Sequence, residues 1–376
     1  MDFAFWLSVP AAAMWFGLWL VPWRPWSVRE QLEPTGFGPN HQGGSGDMDQ
    51  VTVLIPARNE AEVIQRTLDS LQAQGVGLKI VVIDDQSDDG TGDIARRYPN
   101  VEVISGQPLP KGWAGKLWAL EQGKGRVKTS MTLLLDADIA LEPGLLAALL
   151  AHKRASGAHF VSLMADLRRT SFWDRLLLPA FVYYFKLIYP FSVSNSSSKW
   201  VAAAAGGCVL VDTAALHKVD AFECLKDALI DDCTLARRIK DGGHRTWIGL
   251  SRGVISLRPY GTLKSVHDMV ARSAFTQLRY SNLLLLIVTA LFAMAYWLPL
   301  VALAQGSEGS WLAAAALAAM CLAYVPTLHY YGLSPVWALA SPLIGALYLG
   351  MTWSSAIRSW RGVRSKWKNR TYEVTN

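Results

Sequence analysis

Val82-Ile83-Asp84-Asp85-Gln86-Ser87-Asp88-Asp89-Gly90-Thr91 is the stretch on which the fold turns. Lys79-Ile80-Val81-Val82-Ile83 is a short, β-branched apolar run, the pattern of a strand buried on both faces. It stops at two carboxylates and a turn cluster, Ser87 to Thr91, before a helix. Upstream, Val51-Thr52-Val53-Leu54-Ile55 repeats the pattern, and Val63, Ile64, Leu68 and Leu71 follow at helical spacing. Downstream, strands are expected at Val101–Ile104, at Met131–Leu135 and, after Gly206-Gly207, at Cys208–Val211. Strand alternating with helix gives an α/β fold with a mostly parallel sheet. Ligands of such sheets bind beyond the carboxyl ends of the strands. Arg58-Asn59-Glu60, Asp84-Asp85 and Asp136-Ala137-Asp138 all stand there. Singly each is ordinary: a D-x-D triplet is often a solvated turn, Asp84-Asp85 suits a helix N-cap, and Glu60 suits a first helical turn. Together they mark one crevice.

The chain as a whole is short of charge. Of its 376 residues 51% are hydrophobic and only 18% charged, with 16 tryptophans, against about 25% charged in an average soluble domain. That composition excludes a disordered chain, a coiled coil and a secreted disulfide scaffold. Residues 1–23 are expected to form a retained N-terminal membrane anchor, since 3–21 carry no charge and no basic n-region precedes them. Residues 24–50 form a linker rich in glycine and proline, 51–280 the α/β domain with an interfacial helix near 176–191, 281–355 the C-terminal membrane helices and 356–376 a basic tail. The net charge of +6 fits cytoplasmic membrane flanks better than a nucleic-acid surface. Trp23, Arg24, Trp26 and Arg29 after the anchor, and Arg358, Arg361, Arg364, Lys366, Lys368 and Arg370 in the tail, place domain and tail in the cytoplasm of a multi-pass inner-membrane protein. Four crossings from an outside N-terminus would put the tail outside, so the last hairpin, around Gly332-Leu333-Ser334-Pro335, is expected to be a re-entrant or tilted pair. Cys208, Cys224, Cys233 and Cys321 form no C-x-x-C pair and read as free thiols of a reducing compartment, with no zinc site.

Ile55-Pro56-Ala57-Arg58-Asn59-Glu60, the Val82–Thr91 stretch and Asp136-Ala137-Asp138 together resemble a family 2 glycosyltransferase of the GT-A fold, over about residues 51–280. The membrane arrangement and Trp367-Lys368-Asn369-Arg370-Thr371-Tyr372 resemble bacterial hopene-associated glycosyltransferases and, more distantly, ceramide glucosyltransferases. The resemblance implies an inverting enzyme that moves a sugar from a nucleotide sugar, with UDP the favoured carrier, to a lipid hydroxyl of hopanoid or ceramide type at the cytoplasmic face. It implies that Pro56, Ala57, Glu60 and Asp85 border the base and ribose. A polyprenyl-phosphate sugar synthase is the alternative within enzymes; a catalytically silent sugar-nucleotide-binding assembly factor is the alternative outside them.

The chemistry distributes the remaining residues. A diphosphate leaving group gains negative charge, which Mg²⁺ or Mn²⁺ can hold; Asp138 is the expected ligand, with Asp136 assisting it or touching the ribose. Lys116 is expected near the nucleotide. The acceptor hydroxyl needs a base, and Asp232 supplies it, next to Asp231, which stands where the family has Glu. Gly207 lets the sugar approach the backbone. The family's Gln-x-x-Arg-Trp motif is matched in part by Gln277, Arg279 and Tyr280; Arg279 suits a diphosphate and the other two the acceptor pocket. His217, His244 and His267 have no ligand spacing and are taken as structural.

Overall fold

A computed structural model describes residues 2–34, 48–226, 231–367 and 370–373. The chain divides into an α/β unit, Glu30–Arg168 with Phe191–Pro259, and a helical unit, Met1–Arg29 with Arg169–Pro190 and Tyr260–Asn376.

The α/β unit is built on strands β1 (Val51–Ala57), β2 (Lys79–Asp84), β3 (Val101–Ser105), β4 (Met131–Leu135), β5 (Ile139–Leu141), β6 (Phe160–Leu167), β7 (Cys208–Asp212) and β8 (Thr246–Ser256). They form one sheet in the order β3-β2-β1-β4-β7-β6-β8-β5. The first four neighbours are parallel, with Ile55 opposite Val82 and Leu54 opposite Leu134. Beyond β4 the sheet becomes mixed: β7 runs antiparallel to both β4 and β6 and β5 antiparallel to β8, while β6 and β8 are parallel, so parallel pairings remain the majority.

Two-sided burial explains the uninterrupted apolar runs. Val51, Val53 and Ile55 of β1, with Ile80 and Val82 of β2, pack on Ile64, Leu68 and Leu71 of the intervening helix. Leu54, Val81 and Ile83 point to the opposite layer, onto Leu117, Leu120 and Phe222. Because side chains alternate across a strand, both faces of β1 and the middle of β2 must then be largely apolar, and the buried hydroxyl of Thr52 is bonded to Thr129 Oγ1 at 2.7 Å. The polar residues are displaced to the strand ends.

The helical unit contains four helices long and apolar enough to cross a membrane: Phe3–Leu20, Asn282–Ala304, Ser310–Tyr330 and Pro335–Trp360. Their directions follow from side-chain bonds. Asp2 accepts from Phe5 N–H at 3.0 Å and from Gly309 N–H at 3.0 Å, so the first and third helices start side by side and run parallel. Ser310 donates to Ala302 O at 2.8 Å, which sets the second helix antiparallel to the third. Trp297, Trp353 and Trp360 reach Pro342 O, Thr289 Oγ1 and Asn282 Oδ1 respectively, so the last helix is antiparallel to the second as well. The third and fourth helices therefore run the same way, and residues 331–340 double back between them. Cys321, in the middle of the third helix, donates to Ala338 O inside that returning segment.

Indole N–H groups do much of the polar work in this unit. Pro299 has no N–H for the carbonyl four residues earlier, and the helix widens to a π turn at Ala293–Trp297. Trp15 Nε1 donates to the carbonyl left over, Ala295 O, at 2.9 Å; Trp19 reaches Ala319 O at 3.1 Å. The helix Phe172–Ile188 is packed within the same unit, with Tyr348 Oη donating to Leu177 O and buried Lys186 donating to Ser27 O. The C-terminal residues expected as a plain basic tail form an antiparallel ribbon, Val363–Trp367 with Arg370–Glu373; Lys368 and Asn369 lie outside the described residues.

Candidate active site

The ends of β1 and β2 are stitched together. Ala57 O accepts from Asp85 N–H at 2.8 Å, and Arg58 Nη1 donates to Asp85 O at 2.5 Å and Gln86 O at 3.2 Å. Asn59 and Gln86 turn the two loops in the left-handed region, at φ +51° and +57°. Ser87, Thr91 and Asp89 then accept from the backbone N–H groups of Asn59, Glu60 and Ala61 at 3.0, 2.8 and 2.9 Å. Partial burial works to raise the Asp89 carboxyl, but bonds from Thr91 and Ala61 outweigh it and hold it low. Asp89, bonded to Thr91 N–H at 3.0 Å, leads the helix Thr91–Arg96, which corrects the reading of Asp84-Asp85 as its cap. Asp84 instead accepts from Ser87 N–H at 3.1 Å, and Asp85 is 0% exposed. Pro56 and Ala57 are the last two residues of β1, paired with Ile83 and Asp84.

A second cluster joins residues far apart in sequence. Asp136 follows β4, and its N–H donates to Gly207 O at 3.0 Å. Its carboxylate meets Lys116 Nζ at 2.6 Å, and the same ammonium donates to Gly206 O at 3.2 Å. Gly206 N–H donates to Asp232 Oδ2 at 2.9 Å, and Cys233 N–H to Asp232 Oδ1 at 2.7 Å. Asp136, Lys116, Gly206 and Asp232 thus form one continuous polar chain. A Cβ on Gly206 would lie 3.2 Å from Asp232 Cβ and 3.3 Å from Lys116 Nζ, so Gly206 is the glycine that permits the approach; Gly207 has 3.4 Å to Ile139. Behind the cluster, burial pushes the Cys208 thiol up to about 12, and no disulfide joins Cys208, Cys224, Cys233 and Cys321.

Asp232 sits in the first turn of the helix Asp231–Asp241; Ile230 lies outside the described residues. That helix is anchored along its length. Cys233 donates to Ala204 O, Ala236 and Ile239 are fully buried, and Lys240 donates to Ser194 O at 2.6 Å and Val201 O at 2.8 Å. Arg237 grips the carbonyls of Lys199 and Trp200. The Asp232 carboxylate is therefore held from both sides, by its helix and by Gly206.

Sequence reasoning missed the third element, Arg258. Its Nε meets Asp138 Oδ2 at 2.8 Å and its Nη2 meets Glu60 Oε1 at 3.4 Å. Antiparallel pairing of Ile139 with Ser256 brings Leu257 N–H to Asp138 O at 2.7 Å and delivers Arg258 to the carboxylate. A three-residue β5 carries too little pattern for that pairing to be read in advance.

Asp136 and Asp138 offer only carboxylate oxygens, which fits a hard cation. Mg²⁺ and Mn²⁺ sites commonly use one or two carboxylates and leave other positions to substrate phosphates. Among the described residues no three His, Cys, Asp or Glu side chains gather at one point, so these carboxylates would leave the other positions of such an ion to water and donor phosphate.

Gln277, Arg279 and Tyr280 are carried by the helical unit. Gln277 accepts from Tyr189 Oη at 2.6 Å, Tyr280 packs on Phe275, and Arg279 and Tyr280 have φ of +52° and +57°. His267, also in this unit, lies beside Asp268 and Arg358.

The profile of the family described as "Glycosyltransferase like family 2" matches residues 49–273. This chain belongs to that family. The match takes in β1 to β8 and every carboxylate of the two clusters, so the chain carries a family 2 glycosyltransferase domain. This family 2 protein is 33% identical over 92 residues to the 4,4'-diaponeurosporenoate glycosyltransferase of Staphylococcus haemolyticus, which is 24% of each chain. It is 32% identical over 111 residues to the enzyme of that name from Staphylococcus aureus strain USA300, 30% of this chain and 28% of the relative. The similarity thus spans about a quarter of the length of these curated relatives. A solved mannosyltransferase from Pyrobaculum calidifontis, PcManGT in complex with GDP-Man and Mn²⁺, superposes with a TM-score of 0.54 at 20% identity, covering 95% of this chain and 99% of the other. That likeness confirms the GT-A fold.

Proposed function

We infer that this family 2 protein is a membrane-bound inverting glycosyltransferase that moves a sugar from a nucleotide sugar to a lipid acceptor at the cytoplasmic face. The observation that carries the reading is the polar chain Asp136–Lys116–Gly206–Asp232, which joins a donor-side carboxylate to a proton acceptor.

Asp232 takes the proton of the acceptor hydroxyl as that oxygen attacks the anomeric carbon. Two backbone N–H groups fix its oxygens and leave further lone pairs for the acceptor. Attack opposite the leaving group inverts the anomeric centre, so an α-linked donor gives a β-linked glycolipid. Lys116 faces the donor side as a fixed cation, and Glu60 and Asp85 border the base and ribose. A divalent cation at Asp138 and Asp136 supplies Lewis-acid stabilisation of the departing diphosphate when bound. Arg279, Gln277 and Tyr280 are assigned to the diphosphate and the acceptor pocket. The mannosyltransferase solved with GDP-Man and Mn²⁺ supports donor class and metal.

The four apolar helices support a lipid acceptor, as do relatives named for glycosylating diaponeurosporenoate, an apolar carotenoid acid. A hopanoid or ceramide-like hydroxyl is the finer assignment. The helix directions put the start of the first helix and Trp360 at opposite ends of the bundle, since Trp360 reaches Asn282; taken with the basic flanks, which set the sides, this supports an N-terminus outside and both the domain and the tail inside.

The test is lipid mass spectrometry of cells carrying the native chain or the Asp232→Asn variant. A lipid one sugar heavier, present only with the native chain, is expected. Identical lipid profiles would overturn the reading.

A further inference from the structure

The cation on Asp138 comes from the protein itself. Asp138 and Glu60 are recessed, with side chains 14% and 12% exposed, and the Arg258 guanidinium between them is 40% exposed. The carboxylate side of the contact is rigid. Ala137 O is held by Thr67 Oγ1 at 2.8 Å and Asp138 O by Leu257 N–H at 2.7 Å. The backbone around Arg258 is constrained too, by that bond on one side and by Pro259 on the other. Arg258 reaches both carboxylates through a long side chain that is more exposed than either of them.

We propose that Arg258 is an exchangeable counter-cation: it holds Asp138 and Glu60 before the donor enters, competes with a divalent ion for Asp138, and turns to the donor diphosphate when ion and donor arrive together. This rests on the metal assignment made above for Asp138. The physical ground is charge conservation in a partly desolvated site. Two recessed carboxylates without a cation would be strongly unfavourable, so something positive must stay beside them. A divalent ion alone must displace a guanidinium held by charge-assisted bonds. A divalent ion carrying a diphosphate offers the released guanidinium a planar, bidentate partner in exchange. The site would then bind the ion weakly by itself and tightly with the donor, which keeps it from filling with metal between turnovers.

The experiment measures Mn²⁺ binding to the full chain in detergent, by calorimetry or electron paramagnetic resonance, first with Mn²⁺ alone and then with Mn²⁺ plus UDP. With Arg258→Gln, affinity for Mn²⁺ alone is expected to rise by about 10-fold or more, the scale of one charge-assisted hydrogen bond. Affinity for UDP in the presence of Mn²⁺ is expected to fall by a similar factor. Arg258→Lys, which keeps the charge and most of the packing, should stay close to the native chain for Mn²⁺ alone and lose affinity only for UDP. Arg258→Gln that binds Mn²⁺ no better than the native chain, while Asp138→Asn abolishes Mn²⁺ binding, overturns the exchange and leaves the metal site standing. Undiminished Mn²⁺ binding by Asp138→Asn overturns the metal assignment itself. An Arg258→Lys chain that binds Mn²⁺ alone far more tightly than the native chain also counts against the exchange, because its cation is still present.

Discussion

The two units handle polarity in opposite ways. In the α/β unit, charged side chains meet at the ends of buried strands: Asp136 with Lys116, and Asp138 and Glu60 with Arg258. In the helical unit the recurring contact is a neutral indole N–H on a backbone carbonyl, as Trp15 on Ala295 and Trp19 on Ala319. Partly exposed ion pairs can be exchanged for substrate charges, since water and ligand both compete for them. An indole bond inside an apolar bundle has no such competitor and serves only to satisfy the backbone. Substitutions in the first unit should therefore change turnover more than stability, and those in the second stability more than turnover.

The strongest way to break that contrast is Asp232→Asn. Transfer should fall by roughly 10²–10⁴-fold, the scale of general-base assistance, with donor binding by calorimetry unchanged. Lost donor binding with normal turnover at saturating donor would move Asp232 into the nucleotide pocket. Product anomer by NMR gives an independent check, because retention would exclude direct displacement.

Gly206→Ala comes next. Its new Cβ would crowd Asp232 Cβ at 3.2 Å, and the flexible Lys116 can yield more easily than the anchored helix. A shift of a few tenths of an ångström in Asp232 should lower kcat on the order of 10-fold, with little change in the melting temperature. An unaffected kcat would mean that the contact positions nothing.

Trp15→Phe tests the other unit. It removes the donor to Ala295 O, next to Pro299, and leaves that carbonyl buried. The cost should be about 1–3 kcal/mol, read as lower thermal stability in detergent with kcat of the surviving enzyme unchanged. A catalytic defect without a stability defect would dissolve the comparison.

The smallest effect concerns Asp268. Partial burial works to raise its carboxyl, but bonds from Arg358, Lys264 and His267 outweigh this and bring it to about 2. Its folded value thus lies below the ordinary 3.8. The contribution it makes is complete above that ordinary value and is lost as pH falls toward about 2. Arg358→Ala should shrink the acid-sensitive part of thermal stability by less than about 1 kcal/mol, since the pair is well exposed. No difference between the two chains from about pH 2 to pH 5 would show that the pair is fully screened.

Much of the α/β unit was legible because its physics is local. β1, β2 and β4 are buried on both faces, so they appear as continuous apolar runs, and the polar residues that cannot enter the core collect at their ends. β6, β8 and the three-residue β5 were missed. β8 carries Ser251, Arg252 and Gly253 within it, and β6 ends in half-exposed residues, so neither reads as one clean period. Arg258 was invisible for the same reason: its role depends on a register between β5 and β8. The apolar helices were legible from length and composition, whereas their directions were not. Those depend on Asp2 meeting Gly309 and on Trp360 meeting Asn282, contacts between residues about 300 and 80 positions apart.

The doubling back at residues 331–340 has an electrostatic consequence. Two helices that run the same way add their macrodipoles instead of cancelling them, and both negative ends, at Tyr330 and Trp360, come to the same end of the bundle. Cations stand at those ends: Arg169 lies over the Tyr331 ring at 4.6 Å, Arg358 is in the last turn of the final helix, and Arg361 follows directly after it. The basic residues there are thus more than a signal for orientation. They offset the field that a parallel helix pair creates, so the charge at that end of the bundle is balanced within the protein itself.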